Sequence, residues 1–162
     1  MSASGAILMS IFGAIWWVVG AHTTGRVAFT FYAIPAVISL ALIAAALRAP
    51  AAEAPADLSE SSRRARLVGI WSAVEGVVIL IAVIVLRNIG MDAYVATAIA
   101  AIVGLHFIPL ARSLPARRFY ITSLAFCAIA VGSIWIPDAD QRLWLVSAAS
   151  AAVLWLTSAT VV

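Results

Sequence analysis

The sequence predicts an all-α fold: a polytopic membrane protein built as a bundle of six transmembrane helices arranged in three hairpins. Two observations predict it. Of the 162 residues, 65% are hydrophobic and only 10% charged, where an ordinary globular domain is ~45–50% apolar and ~25% charged, and the mean hydropathy is +1.11. The apolar residues also fall into six stretches, at 5–21, 27–47, 67–86, 93–111, 120–136 and 143–161, each near the ~20 residues that cross a ~30 Å hydrocarbon core. No hydrophilic run is long enough for a separate aqueous domain, so residues 1–162 read as a single transmembrane domain.

The first stretch begins Met1-Ser2-Ala3-Ser4-Gly5 without a positive n-region, which favours a retained helix over a cleaved signal peptide. It breaks at His22-Thr23-Thr24-Gly25. The second contains Pro35, which cannot donate a backbone hydrogen bond to Phe31 and so predicts a kink. Together they make a hairpin over 1–48. Residues 49–65 follow as an Ala/Pro-rich linker with scattered acids, flexible by composition, ending in Leu58-Ser59-Glu60-Ser61-Ser62-Arg63-Arg64, where an Asp or Ser cap can start the third helix.

Four closely connected helices occupy 66–162. The third carries Glu75 and breaks at Asn88-Ile89-Gly90-Met91-Asp92, with Asp92 the expected N-cap of the fourth. Ala96, Ala100 and Gly104 form a small-residue stripe on the fourth helix, which lets another backbone approach. His106 lies ~80–160° around the same helix from that stripe, so this helix is expected to meet two different neighbours. Ala128 with Gly132, and Ser147 with Ala151, offer lesser stripes on the fifth and sixth helices; Asp140 is the expected N-cap of the sixth. The three hairpins have similar lengths, but their residues do not align as repeats.

Orientation follows from arginine. Arg48, Arg63, Arg64 and Arg66 lie between the second and third stretches, and Arg112, Arg117 and Arg118 between the fourth and fifth. The other loops carry only Arg26, Arg87 and Arg142, with Asp92, Asp138 and Asp140 to balance them. The positive-inside rule then places both termini in the cytoplasm of a multi-pass protein of a bacterial-type inner membrane. Trp16, Trp17, Trp135 and Trp144 fit an aromatic belt at the outer interface, while Trp71 and Trp155 lie deeper.

Missing residues exclude several chemistries. The chain has no lysine, so neither a Schiff-base cofactor site nor a Walker phosphate loop can form. Cys127 is the only cysteine, too few for an internal disulfide or a cysteine-rich metal site. The net charge of +3 reads as a topology signal, so no nucleic-acid partner is expected. The bilayer is the expected partner, with a homo-oligomer or a larger membrane complex compatible with the same features.

Glu75 is the only acid well inside an expected span, and His106 the only histidine there. A charged carboxylate at mid-helix costs up to ~3 kcal/mol, so Glu75 should face the bundle interior, be protonated, or have a partner. Glu75 is nine residues from Arg66 and His106 six from Arg112, so at 1.5 Å per residue their depths differ by about 4–5 Å. Direct or water-bridged contact is expected, with Trp71 one turn from Glu75. Pro109 frees the carbonyl of Leu105 beside the histidine, as Pro35 frees that of Phe31, and kinks of this kind create cavities. Two readings stay open: a ligand, proton or ion site, or an interhelical hydrogen bond that only fixes packing. His22 reads as a surface group at the outer end of the first helix. A bis-histidine haem is not favoured, because His22 and His106 lie at different depths, and no cofactor or metal is assigned. Tyr32 and Tyr94, with Ser10 and Thr30, either line an outer vestibule or serve as interhelical polarity.

A lone glutamate in an apolar helix resembles the small multidrug-resistance transporters, in which one intramembrane carboxylate exchanges protons for cations. Those chains have four shorter helices and carry the glutamate in the first, so only the carboxylate's role is implied here. The expectation is an integral membrane protein that binds, and can transport, a small ligand or cation through Glu75 and His106. A structural or assembly subunit of a membrane complex is the alternative. An enzyme ranks below both, since no nucleophile or metal cluster accompanies the pair.

Overall fold

The computed structural model describes residues 3–26, 28–49, 58–114 and 116–160, and in them every regular element is helical. The helices are α1 (Ala3–Thr23), α2 (Phe29–Arg48), α3 (Leu58–Asn88), α4 (Val95–Ser113), α5 (Arg118–Ser133) and α6 (Ala139–Ala159), with a 3-10 turn over Asp92–Tyr94. Five of the six are long and apolar enough to cross a membrane. The exception is α5, whose 16 residues span ~24 Å. Large apolar side chains stand open along the helices, among them Leu80 and Ile81 on α3 and Ile121 and Leu124 on α5. In water each would cost ~25 cal/mol per Å² of exposed apolar surface; facing hydrocarbon they cost nothing, and the chain is membrane-embedded on this ground.

Two helix ends follow directly from glycine. Gly25 and Gly90 adopt φ of 72° and 71°, the left-handed conformation that closes a Schellman turn. After α1, Arg26 N–H donates to the Ala21 carbonyl at 2.7 Å and Gly25 N–H to His22; after α3, Met91 N–H donates to Leu86 at 2.8 Å and Gly90 N–H to Arg87. The expected N-caps are corrected. Asp138, not Asp140, caps α6, its side chain accepting from the Gln141 N–H at 2.6 Å. Asp92 opens the 3-10 turn instead of capping α4, and lies 3.7 Å from Arg87. Residues 50–57 of the expected linker lie outside the described residues, and α3 begins at Leu58, in the stretch expected to start it and ahead of the apolar span expected from 67.

The chain divides into two compact units, Met1–Ala52 with Trp135–Val162, and Glu53–Ile134. Contacts thus group α6 with the first hairpin, where sequence order grouped it with α3 to α5. In the first unit α1 packs on both α2 and α6. The Ser147–Ala151 stripe is in use here: a Cβ on Gly20 would collide with Ser147, and Ala151 is fully buried. A serine cluster lies between the helices. Ser10 Oγ and Ser158 Oγ are 2.9 Å apart and both reach the Ala6 carbonyl, while Ser39 Oγ donates to the Ser10 carbonyl. Trp155 Nε1 joins them at 3.1 Å from Ser39 Oγ. The carbonyl of Phe31, which Pro35 leaves without its helical donor, accepts from Trp17 Nε1 at 2.8 Å.

In the second unit α4 packs on α3 through one face and on α5 through the other. The Ala100–Gly104 face meets α5: Ala100 is fully buried, and a Cβ on Gly104 would fall 2.9 Å from Cys127 Sγ and 3.1 Å from the Cys127 backbone nitrogen. Thr97 Oγ1 lies 2.8 Å from Ser133 Oγ, whose own proton goes to the Ala130 carbonyl, so Thr97 is the donor. Phe107 stacks with Phe119 and Phe126 of α5. The Ala128–Gly132 stripe is not in use; Ala128 is exposed and Gly132 borders open space. Within this unit α3 packs on α4 and the 3-10 turn alone, and none of its membrane-spanning window is buried.

Candidate functional site in the α3–α4 groove

Residues 106, 109 and 113 follow helical spacing of three and four, so His106, Pro109 and Ser113 share the face of α4 that turns away from Gly104. On α3, Trp71, Glu75 and Val78 share a face by the same spacing. Where these faces meet, an open groove of about 550 Å³ runs between the helices, walled by Val74, Ile102, Leu105 and Ile108 and reaching Arg112.

Glu75 and His106 come together in it as the depth arithmetic predicts. His106 Nε2 stands 3.5 Å from Glu75 Oε2, with side-chain exposures of 8% and 19%. A ring nitrogen of His106 also reaches the backbone of Trp71, so the imidazole is held between the α3 main chain and the carboxyl one turn further on. Behind it Phe107 stands edge-on to the imidazole, 6.1 Å between centroids, and ties that part of α4 to the phenylalanines of α5. The ring therefore has a fixed back wall and a polar front. Chemically, the arrangement can hold one proton shared between carboxyl and imidazole in largely apolar surroundings.

Trp71 lines the groove, 38% exposed. Pro109 lines it too, and α4 continues past it to Ser113. Pro35 does not: it is buried in the first unit, and its freed acceptor is occupied by Trp17 rather than opening a cavity. Ser10 is likewise no vestibule residue, being fully buried in the serine cluster. His22 Nδ1 lies 3.3 Å from Tyr32 Oη in an exposed pair, and Arg26 stacks on Trp144 at 4.7 Å.

Arg112 is the groove residue that its sequence position assigns only to topology. It is exposed at the end of α4 and has no ion-pair partner among the described residues. The signal was present in the spacing, since Arg112 follows Pro109 by three residues and His106 by six. Comparison with family models, with curated proteins and with solved structures returned no match.

Proposed function

We propose that the chain is an integral membrane protein that binds a small ligand or cation in the α3–α4 groove and couples its passage to a proton held by Glu75 and His106. The observation that carries this reading is the 3.5 Å pairing of the carboxyl and imidazole on the floor of an open groove. One proton between the two leaves them net neutral whether it resides on oxygen or nitrogen. Removing that proton, or adding a second, puts a single charge in apolar surroundings, at a cost of a few kcal/mol. A ligand that brings the opposite charge offsets that cost, which is the physical basis of exchange.

In this reading all six helices cross a bacterial-type inner membrane with both termini cytoplasmic. The loop arginines support that orientation, and Arg117 and Trp135 at its two ends extend the short α5 to interfacial depth. A structural or assembly subunit is the second reading, favoured by the low exposure of His106, which suits an interhelical latch.

Glu75→Gln separates the two. The amide keeps shape and a hydrogen bond but loses the titratable proton, so under the proposal the variant inserts and folds while ligand-induced thermal stabilisation loses its pH dependence. If the pair is only a latch, Glu75→Gln is silent and Glu75→Ala lowers stability by the ~0.6 kcal/mol typical of a membrane interhelical hydrogen bond, up to ~2. The measurement is thermal unfolding in detergent over a panel of small cations and metabolites, scanned with pH. A wild type that none of them stabilises, indistinguishable from Glu75→Gln at every pH, overturns the proposal in favour of the assembly subunit.

A further inference from the structure

We infer that the groove also takes an anionic phospholipid drawn from the leaflet on the Arg112 side, its phosphate on the Arg112 guanidinium and an acyl chain along Val74, Val78, Ile102 and Leu105. The inference rests on the groove being a ligand site and not on the titration of Glu75.

Three observations carry it. The first is charge. Arg112 lines one end of the groove with no acidic partner among the described residues, whereas the carboxyl of the groove, Glu75, is paired with His106, six residues back along α4. The complementary occupant at that end is an anion. The hydroxyl of Ser113, which also lines the groove, supplies a neutral donor beside it.

The second is length. From Ile102 to Ser113 the groove follows eleven residues of rise along α4, or ~16 Å, which is about half of a ~30 Å hydrocarbon core. It is therefore one leaflet deep, with the arginine at the headgroup end and apolar side chains inward. The third is access. The groove is open along its side between two helices that carry exposed apolar residues, Leu105 at 58% and Val78 at 42%, so a chain can enter laterally from the bilayer without crossing water. An arginine at the interface adds ~1 kcal/mol of attraction for an anionic headgroup, about fivefold in affinity.

The test uses the full chain in a non-ionic detergent, titrated with phosphatidylglycerol and with phosphatidylcholine of matched acyl chains, and read by native mass spectrometry. We expect one phosphatidylglycerol per chain to be retained about fivefold more tightly than phosphatidylcholine. Arg112→Gln should abolish that preference without changing the melting of the lipid-free protein, while Arg117→Gln, exposed and outside the groove, should keep it. Proton coupling is read separately, from the pH dependence of thermal stabilisation in Glu75→Gln, so its failure is distinguishable from a failure of lipid selection. Equal retention of the two lipids by the wild type overturns the inference, as does a preference that survives in Arg112→Gln. Glycerol phosphate binding as tightly as phosphatidylglycerol overturns it too, because the acyl chain would then be irrelevant and the ligand a free phosphate.

Discussion

Replacing Gly104 by alanine tests whether the α4–α5 contact positions the groove. The added Cβ would sit 2.9 Å from Cys127 Sγ, 3.0 Å from Phe126 Cβ and 3.1 Å from the Cys127 backbone nitrogen. Ordinary contact begins near 3.5 Å, so the helices must separate by about half an ångström, and the backbone atom among the three cannot swing aside. Overpacking of this kind costs ~1–3 kcal/mol, against a gain of up to ~1 kcal/mol from replacing glycine by alanine in a helix interior. The net expectation is a loss of up to ~2 kcal/mol. Gly76 and Gly132 supply the control, since a Cβ at either meets nothing within 4 Å and only the propensity gain applies. The assay is thermal unfolding in detergent with thiol labelling of Cys127, which as the chain's single cysteine reports the contact directly. Gly104→Ala should melt below wild type and label faster, while Gly76→Ala and Gly132→Ala melt at or above it. Equal melting and labelling in all three would refute the argument that α4 is seated on α5 through this glycine.

Trp17→Phe should cost about 1–2 kcal/mol, because it leaves the part-buried Phe31 carbonyl without a donor; in a Pro35→Ala background, where the helix regains its own N–H, the same change should cost clearly less, and equal costs in both backgrounds would break the link between the proline and the indole. For topology, a cysteine placed at Ala54 in a Cys127→Ser chain should be labelled by a membrane-impermeant reagent only from the cytoplasmic side. Labelling from the outside would reverse the orientation read from the arginines.

The pairing of Glu75 with His106 was legible because two rare residues sat at matched depths on helices joined by a short loop. The stripe on α4 was legible for a similar reason, since Gly104 is the one position there where a backbone can approach so closely. Other features depended on choices that local sequence leaves open. Asp138 and Asp140 are equally good caps, and only the start of α6 after Pro137 selects the first. Ser10 in an apolar helix reads alike as vestibule or as interhelical polarity; its burial follows from α6 returning to α1, a pairing of elements distant in sequence. Arg142 reads as a loop charge, yet it is 3% exposed and donates from Nη1 to the Ile136 carbonyl at 2.8 Å, a backbone contact that charge counting does not anticipate.

The attachment of α3 has a mechanical consequence. Within its own unit, and among the described residues, α3 is gripped along one face by a single long neighbour, α4, and so is held there as a lever whose fulcrum lies where the grip is polar, near Glu75. From Glu75 to Leu58 the arm is seventeen residues of rise, ~26 Å, so a tilt of about 5° at the groove sweeps the Leu58 end through about 2 Å. Under the proposed function, a guest that wedges the groove open by a fraction of its width would be felt, magnified, at the Leu58 end of α3.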